Sequence, residues 1–352
     1  MDKQKALYYI ENSFLSSLLK EDDITDISYN GKDIYYVSNL EGRKKSDIRI
    51  EGQLAKDFIR QIANIAEKQF SFSSPILDIS VGRYRINAVH QSIGKIQDEG
   101  VITFAIRIAS KEIRITDDSN FFTPEIVKLV KAILKSHQSI VIGGVTSSGK
   151  TEFQKYLLRN LNEAERVIVI DNVLELDQVR NDYLDLTCWQ VSEEVPQASS
   201  GNLIRNALRN NPDWLIVAET RGAEMVDALN SAMTGLPLIT TLHSFNATSM
   251  PYRMGRMMMK SEQKIDYQEA LNDIYYHFHY FFYLKKEEID GQIVRRITEI
   301  YYGDSKGLLT PVYLYVDGVH QYYPLPEEGY KVIKKYLGTE QLKVFRKEND
   351  ES

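Results

Sequence analysis

The stretch Gly144-Val145-Thr146-Ser147-Ser148-Gly149-Lys150-Thr151 restricts this chain more than any other. The apolar run Ile140-Val141-Ile142 leads into it, and Thr151 to Leu161 repeats apolar residues at helical spacing. A G-x4-G-K-[ST] pattern between a strand and a helix is a phosphate-binding loop. Its glycines let the backbone wrap closely around phosphate oxygens, while successive N–H groups and the helix N-terminus supply positive potential. Lys150 is expected to pair with the β- and γ-phosphates of a nucleotide and Thr151 to hold Mg2+, with Gly144 to Gly149 as the cradle.

The surroundings fit that frame. Arg166 to Ile170, Trp214 to Ala218 and Leu238 to Thr241 are short apolar runs, with a helical pattern at Leu203 to Arg209 between the first two. Such runs predict an α/β fold with a mostly parallel sheet covered on both faces. Upstream, Lys3 to Lys20 has helical spacing, the alternating segment around Asn30-Gly31 predicts a hairpin, Ala55 to Phe70 a helix, and Ser80 to Val89 and Val101 to Ala109 strands. This order predicts a smaller α+β domain. The expected division is therefore an N-terminal domain over 1–115, a polar linker over 116–122 with its hinge at Asp117 to Asn120, and a nucleotide domain with a C-terminal extension over 123–352. Thr123 and Pro124 are placed as N-cap and first residue of a helix. Ile274 to Leu284 is read as a buried strand. Ile293 to Tyr302 and Val312 to Val316 are also read as strands, and Met250 to Met259 as core filler on a helix.

Composition narrows the class. The 352 residues are 43% hydrophobic and 26% charged, with a formal net charge of −6. This balance suits a globular protein and argues against a basic nucleic-acid binder. The single cysteine, Cys188, excludes an intrachain disulfide and a CxxC zinc site, and is read as half-buried. No signal peptide is recognisable, and no stretch reaches the roughly 18–20 apolar residues of a membrane span. A cytoplasmic protein is expected.

Three further stretches carry chemistry. In NNPDWLIVAETR, Glu219 ends an apolar strand, where a water-activating base or Mg2+ contact belongs, whereas Asp213 stands at the wrong end and reads as a turn residue. In GLPLITTLHS, His243 stands just past another strand and is read as a phosphate sensor. In VIVIDNVLELD, Asp171 could orient water or metal or be a solvated loop acid, and Glu175 ranks below it. His90, His137, His277, His279 and His320 have no partner spacing and are read as structural.

Together these four stretches resemble the secretion-motor (traffic) ATPase superfamily of type IV secretion, conjugation, Tad pili, type II secretion and type IV pili. LIRNALRNNPDWLIVAETR is similar to the family's Arg-rich helix, Pro-Asp, apolar strand and Glu-x-Arg; TGLPLITTLHS to its His box; IDNVLEL to its Asp box. DDITDISYNGKDIYYV and PILDISVGRYRINAVH resemble the N-terminal domain of the type IV secretion and Tad-type branches. The resemblance implies a RecA-like P-loop NTPase domain, ATP and Mg2+, a homohexameric ring, and peripheral association with a membrane-embedded machine. It implies that Glu219 activates water and that the N-terminal domain closes over the nucleotide, with Arg83 or Arg85, and Arg107, reaching the γ-phosphate. It casts Arg205, Arg209 and Arg221 as nucleotide or subunit-interface arginines. The chain departs from the pattern at Asn172-Val173 in the Asp box, at Ser147 where glycine is common, and at Glu152 where a second threonine is usual. One cysteine also rules out the four-cysteine module of type II secretion motors. The rival readings are a pilus-assembly motor, an ATP-binding regulator with little turnover, and a nucleic-acid translocase, against which the acidic balance argues.

Overall fold

The computed structural model describes residues 2–110, 113–179, 185–192, 195–336 and 343–346. The chain forms two compact units: Met1–Glu112 with Glu288–Val294, and Ile113–Glu287 with Arg295–Ser352. Positions 337–342 and 347–352 of the expected C-terminal extension lie outside the described residues.

The first unit runs α1 (Lys3–Glu11), α2 (Ser16–Leu19), β1 (Ile24–Tyr29), β2 (Ile34–Ser38), β3 (Gly42–Lys45), α3 (Gly52–Ile65), β4 (Ile76–Val81), β5 (Tyr84–Val89), a short ribbon of β6 (Lys95–Ile96) and β7 (Glu99–Gly100), and β8 (Thr103–Ile108). Six of these strands form one sheet in the order β3-β2-β1-β8-β5-β4. Alternation puts Ile27, Ile86 and Ile106 in a core shared with Phe58, Ile59 and Ile62 of α3 and Ile10 of α1. The Asn30-Gly31 hairpin forms as its sequence predicts, pairing Tyr29 with Ile34 and holding Gly31 at φ 98°. Ser80 to Val89 is not one strand. Gly82 at φ 56° turns the chain and pairs Val81 with Tyr84, the geometry that a glycine opening a two-residue turn permits.

The three N-terminal arginines have partners within this unit. Arg85 faces Arg107 across β5 and β8, with their side chains on the open face of the sheet. Arg85 pairs with Asp78 at 3.1 Å and Arg107 with Asp26 at 3.4 Å. Arg83, in the β4–β5 turn, donates to the Leu19 carbonyl at 2.8 Å and to the Tyr84 hydroxyl at 3.2 Å.

The second unit runs α4 (Pro124–Lys135), β9 (Ile140–Gly144), α5 (Lys150–Arg159), β10 (Arg166–Asp171), β11 (Asp185–Gln190), α6 (Ser200–Ala207), β12 (Trp214–Val217), α7 (Met225–Met233), β13 (Leu238–Leu242), α8 (Met250–Met258), α9 (Tyr267–His277), β14 (Tyr280–Ile289), β15 (Gln292–Gly303), β16 (Leu309–Val316), β17 (Val319–Tyr322) and α10 (Glu327–Lys334). The tip of β14 and β15, Glu288–Val294, groups with the first unit, where the Ile293 N–H donates to the Leu40 carbonyl at 2.6 Å. The sheet order is β11-β10-β12-β13-β9-β14-β15-β16-β17. Strands β11 through β14 are parallel, and β15, β16 and β17 pair antiparallel. Successive residues of the central strands enter opposite cores. Val167, Ile216 and Ile239 pack with α4 and α5, while Ile168, Leu215 and Leu238 pack with α6, α7 and α8. That two-sided burial is why these strands read as unbroken apolar runs.

Several expectations change here. Residues 116–122 belong to the second unit. Asp117 accepts from the Tyr156 hydroxyl at 2.7 Å, and Phe121 and Phe122 are buried against Phe153. Thr123 does cap α4, accepting from the Ile126 N–H at 3.4 Å. Ile274 to Leu284 is half helix and half strand: α9 ends at His277 and β14 begins at Tyr280. Burial of both halves erased the periodicity that would separate them. The methionines of α8 do fill core, with Met250, Met254, Met257 and Met258 buried.

Candidate functional site

The phosphate loop leaves the carboxyl end of β9, and its shape depends on two glycines. A Cβ on Gly144 would stand 2.4 Å from Ser148 Oγ and 2.6 Å from the Leu284 carbonyl, so no side chain fits there. Gly149 caps α5 at φ 99°, a left-handed conformation that glycine adopts without steric cost. Ser147 is held in the same region, at φ 61°, which explains why glycine is usual at this position. Lys150 Nζ folds back over the loop, donating to the carbonyls of Gly144 at 3.0 Å and Val145 at 2.9 Å. Thr151 is the second residue of α5 and is half-buried.

The parallel register brings the next residues to the same sheet edge. β13 lies beside β9, and β12 beside β13, so residues just past their ends converge on the loop. His243 Nδ1 lies 3.4 Å from Lys150 Nζ, and His243 Nε2 lies 3.2 Å from Glu219 Oε1. The imidazole thus stands between the loop lysine and the strand-end carboxylate. Burial, then the Lys150 charge, hold the His243 pKa below its ordinary value, against the opposing pull of Glu219 and the Gly144 backbone. The other Glu219 oxygen accepts from Arg221 at 2.6 Å, and this bond raises the arginine's pKa further.

Other expected residues stand apart from this trio. Asp171 is buried at the same edge, but its two oxygens accept the N–H groups of Val173 at 3.1 Å and Glu175 at 2.9 Å. Its carboxylate therefore shapes the turn after β10. Arg205 pairs with Asp227 of α7 at 2.6 Å, and Arg209 is exposed in the turn after α6. Asp213 accepts the Arg166 N–H at 2.7 Å at the opposite strand end, in keeping with a turn residue. Glu152 has its own work: it pairs with the buried Lys155 at 2.9 Å and accepts the Arg114 N–H at 3.1 Å.

The histidines read as structural are held locally. His137 meets Glu165 at 2.7 Å, His320 meets the Tyr313 hydroxyl at 2.8 Å, and His90 meets Ser92 at 3.0 Å. His277 and His279, with His137, line a cavity of about 410 Å3 at the amino ends of the strands, away from the phosphate loop. Burial, with His277 beside it, pushes the His279 pKa down to about 4.

One loop contact has no sequence signal. Arg295 of β15 donates its Nε–H to the Ser147 carbonyl at 2.8 Å, across 148 positions of sequence. Nothing in the alternating run QIVRRITEI marks the first arginine over the second.

The residues fit a nucleoside phosphate. The cradle admits no side chain at Gly144, Ser148 Oγ is buried with no hydrogen-bond partner among the described residues, and the buried Glu219 Oε1 meets the His243 ring at 3.2 Å without hydrogen-bond geometry. Thr151 and Glu219 supply the hard oxygen donors that Mg2+ takes.

The chain is similar to several known proteins in sequence and in fold. The chain is 31% identical over 287 residues to an uncharacterised protein of Bacillus anthracis, covering 78% of this chain and 63% of that one. It is 26% identical over 250 residues to a protein of Mycobacterium tuberculosis named for conjugal transfer, covering 68% and 71%. Among solved structures, the Legionella pneumophila ATPase DotB shares the fold, with a TM-score of 0.64 at 20% identity over 83% of this chain and 80% of that one. The family description of type II/IV secretion system proteins matches residues 93–275, which include the phosphate loop, Glu219 and His243. The chain belongs to the type II/IV secretion system protein family.

Proposed function

We propose that this protein is the ATP-hydrolysing motor of a type IV secretion or conjugation machine, working as a hexameric ring at the cytoplasmic face of a membrane. The observation that carries the reading is His243 standing between Lys150 and Glu219. A kinase that passes phosphate to a small molecule needs a substrate pocket at the loop. Here the loop's neighbours are instead a base, a histidine and an arginine, which suits attack by water.

Lys150 exchanges the Gly144 and Val145 carbonyls for the β- and γ-phosphates of ATP. Thr151 and Glu219 would hold Mg2+, which would supply positive charge against the phosphate oxygens. Glu219 also orients and deprotonates the attacking water. His243, neutral near pH 7, loses its Lys150 partner when the lysine turns to phosphate, so its contacts differ between the two states. Arg221, already paired with Glu219, would neutralise charge at the loop, and the exposed Arg209, at the other end of the strand, would meet a second subunit. Among the described residues no helix is long and apolar enough to cross a membrane, so attachment would be peripheral.

The test is direct. Purified protein should release phosphate from ATP, and Lys150→Ala should abolish both release and nucleotide binding. Capture of the tagged protein from its own cells should retain secretion or conjugation components. Retention of pilus components would redirect the reading to a pilus motor, and binding without measurable turnover to a regulator.

A further inference from the structure

The phosphate loop contains a conformational problem that its own residues do not solve. Among its non-glycine residues, Ser147 has positive φ, at 61°, where an L side chain is disfavoured. Glycine would settle there unaided, but this chain has serine. The solution comes from outside the motif. Arg295 Nε donates to the Ser147 carbonyl at 2.8 Å, and the arginine stem runs beside the loop, since a Cβ on Gly149 would stand 3.7 Å from its Cδ. On the other side of the same peptide, the Ser148 N–H donates to the Val145 carbonyl at 3.3 Å. A trans peptide is planar, so the two bonds fix one plate from both edges.

We propose that Arg295 is a positioning residue for nucleotide binding: it holds the Ser147–Ser148 peptide so that the phosphate loop is formed before nucleotide arrives. This rests on the nucleotide reading given above. The benefit is preorganisation, because a loop already in its binding shape loses less freedom when phosphate enters. A guanidinium suits the task, being planar, permanently charged and aimed by its own plane, and a charge-assisted bond to a carbonyl is stronger than a neutral one. The residue lies in β15, far along the chain from every motif that the site otherwise uses.

The test is a double-mutant cycle between Arg295→Ala and Ser147→Gly, read by calorimetric binding of ADP with Mg2+ and by steady-state ATP turnover. Arg295→Ala should weaken ADP binding about tenfold. It should raise KM to match while kcat stays within about twofold, as expected for lost uniform binding. Ser147→Gly, itself a change within the cradle, supplies the second background, and its own ADP affinity is the reference for the loss measured in it. In the Ser147→Gly background the Arg295→Ala loss should shrink to about threefold or less, because glycine takes positive φ without a holder. A purely structural role for the arginine would not be rescued by a glycine in the loop. Undiminished ADP binding in Arg295→Ala, or an equal loss in both backgrounds, overturns the proposal. Thermal unfolding without nucleotide checks that each variant folds, and Arg295→Gln, which keeps part of the stem, replaces the alanine variant if that one does not. Wild-type protein that binds no ADP would instead remove the nucleotide reading itself.

Discussion

His243 Nε2 lies 3.2 Å from Glu219 Oε1, joining residues from the ends of two neighbouring parallel strands beside the phosphate loop. Both were legible as strand-end residues, but only the register of β12 and β13 makes them partners. Glu219→Gln keeps the size and removes the base. It should bind ATP with near-normal affinity and lower kcat by roughly 10²–10⁴-fold, the usual contribution of a general base. Phosphate release at saturating ATP, set beside equilibrium ATP binding, decides it; wild-type turnover would take Glu219 out of the mechanism.

His243 should be electrically silent through neutral pH. Its pKa is held below the ordinary value of 6.5 by burial and by Lys150, so the ring is uncharged above that pH. The pH profile of kcat/KM should therefore show no limb from His243 between pH 7 and 8. A limb in that range that vanishes in His243→Gln would show that the ring carries a proton there.

His279 predicts acid sensitivity. Its folded pKa is about 4 against a reference of 6.5, so the unfolded chain binds the proton more readily. Stability from this group is complete above pH 6.5 and is lost as pH falls toward 4. The shift corresponds to an upper bound of about 3 kcal/mol. Urea midpoints at pH 7 and pH 4.5 should lie closer together in His279→Gln than in wild type. Equal spacing would mean that another group carries the acid limb.

Asp171 separates structure from chemistry. Its oxygens serve the Val173 and Glu175 N–H groups, so Asp171→Ala leaves two half-buried donors unserved. A loss of about 1–3 kcal/mol in unfolding free energy is expected. ADP affinity should be nearly unchanged. A large fall in kcat with normal stability would restore the catalytic reading of the altered Asp box.

The parts of the fold that the sequence exposed were those with a single physical driver. The phosphate loop needs glycine, lysine and threonine at fixed spacing, and parallel strands buried on both faces read as apolar runs. Asn30-Gly31 and Thr123-Pro124 marked their turn and helix start through backbone chemistry alone. The failures came where two drivers overlapped. Ile274 to Leu284 is apolar across a helix end and a strand start, so hydrophobicity alone could not divide it. Gly82 was hidden inside an alternating run, and Asp117 to Asn120 is polar yet anchored by Tyr156. Arg295 was invisible because its contact is set by sheet order, which no local pattern records.

The chain passes between its two units at three peptide bonds, after Glu112, after Glu287 and after Val294. Neither unit is therefore a continuous piece of polypeptide. A fragment ending at 112 would lack the strand tip whose Ile293 is bonded to Leu40, and a fragment starting at 113 would carry that tip away from its own neighbours. Cloning either half alone by cutting once leaves both halves incomplete. Splicing a short turn across 288–294 would give the cleaner nucleotide fragment.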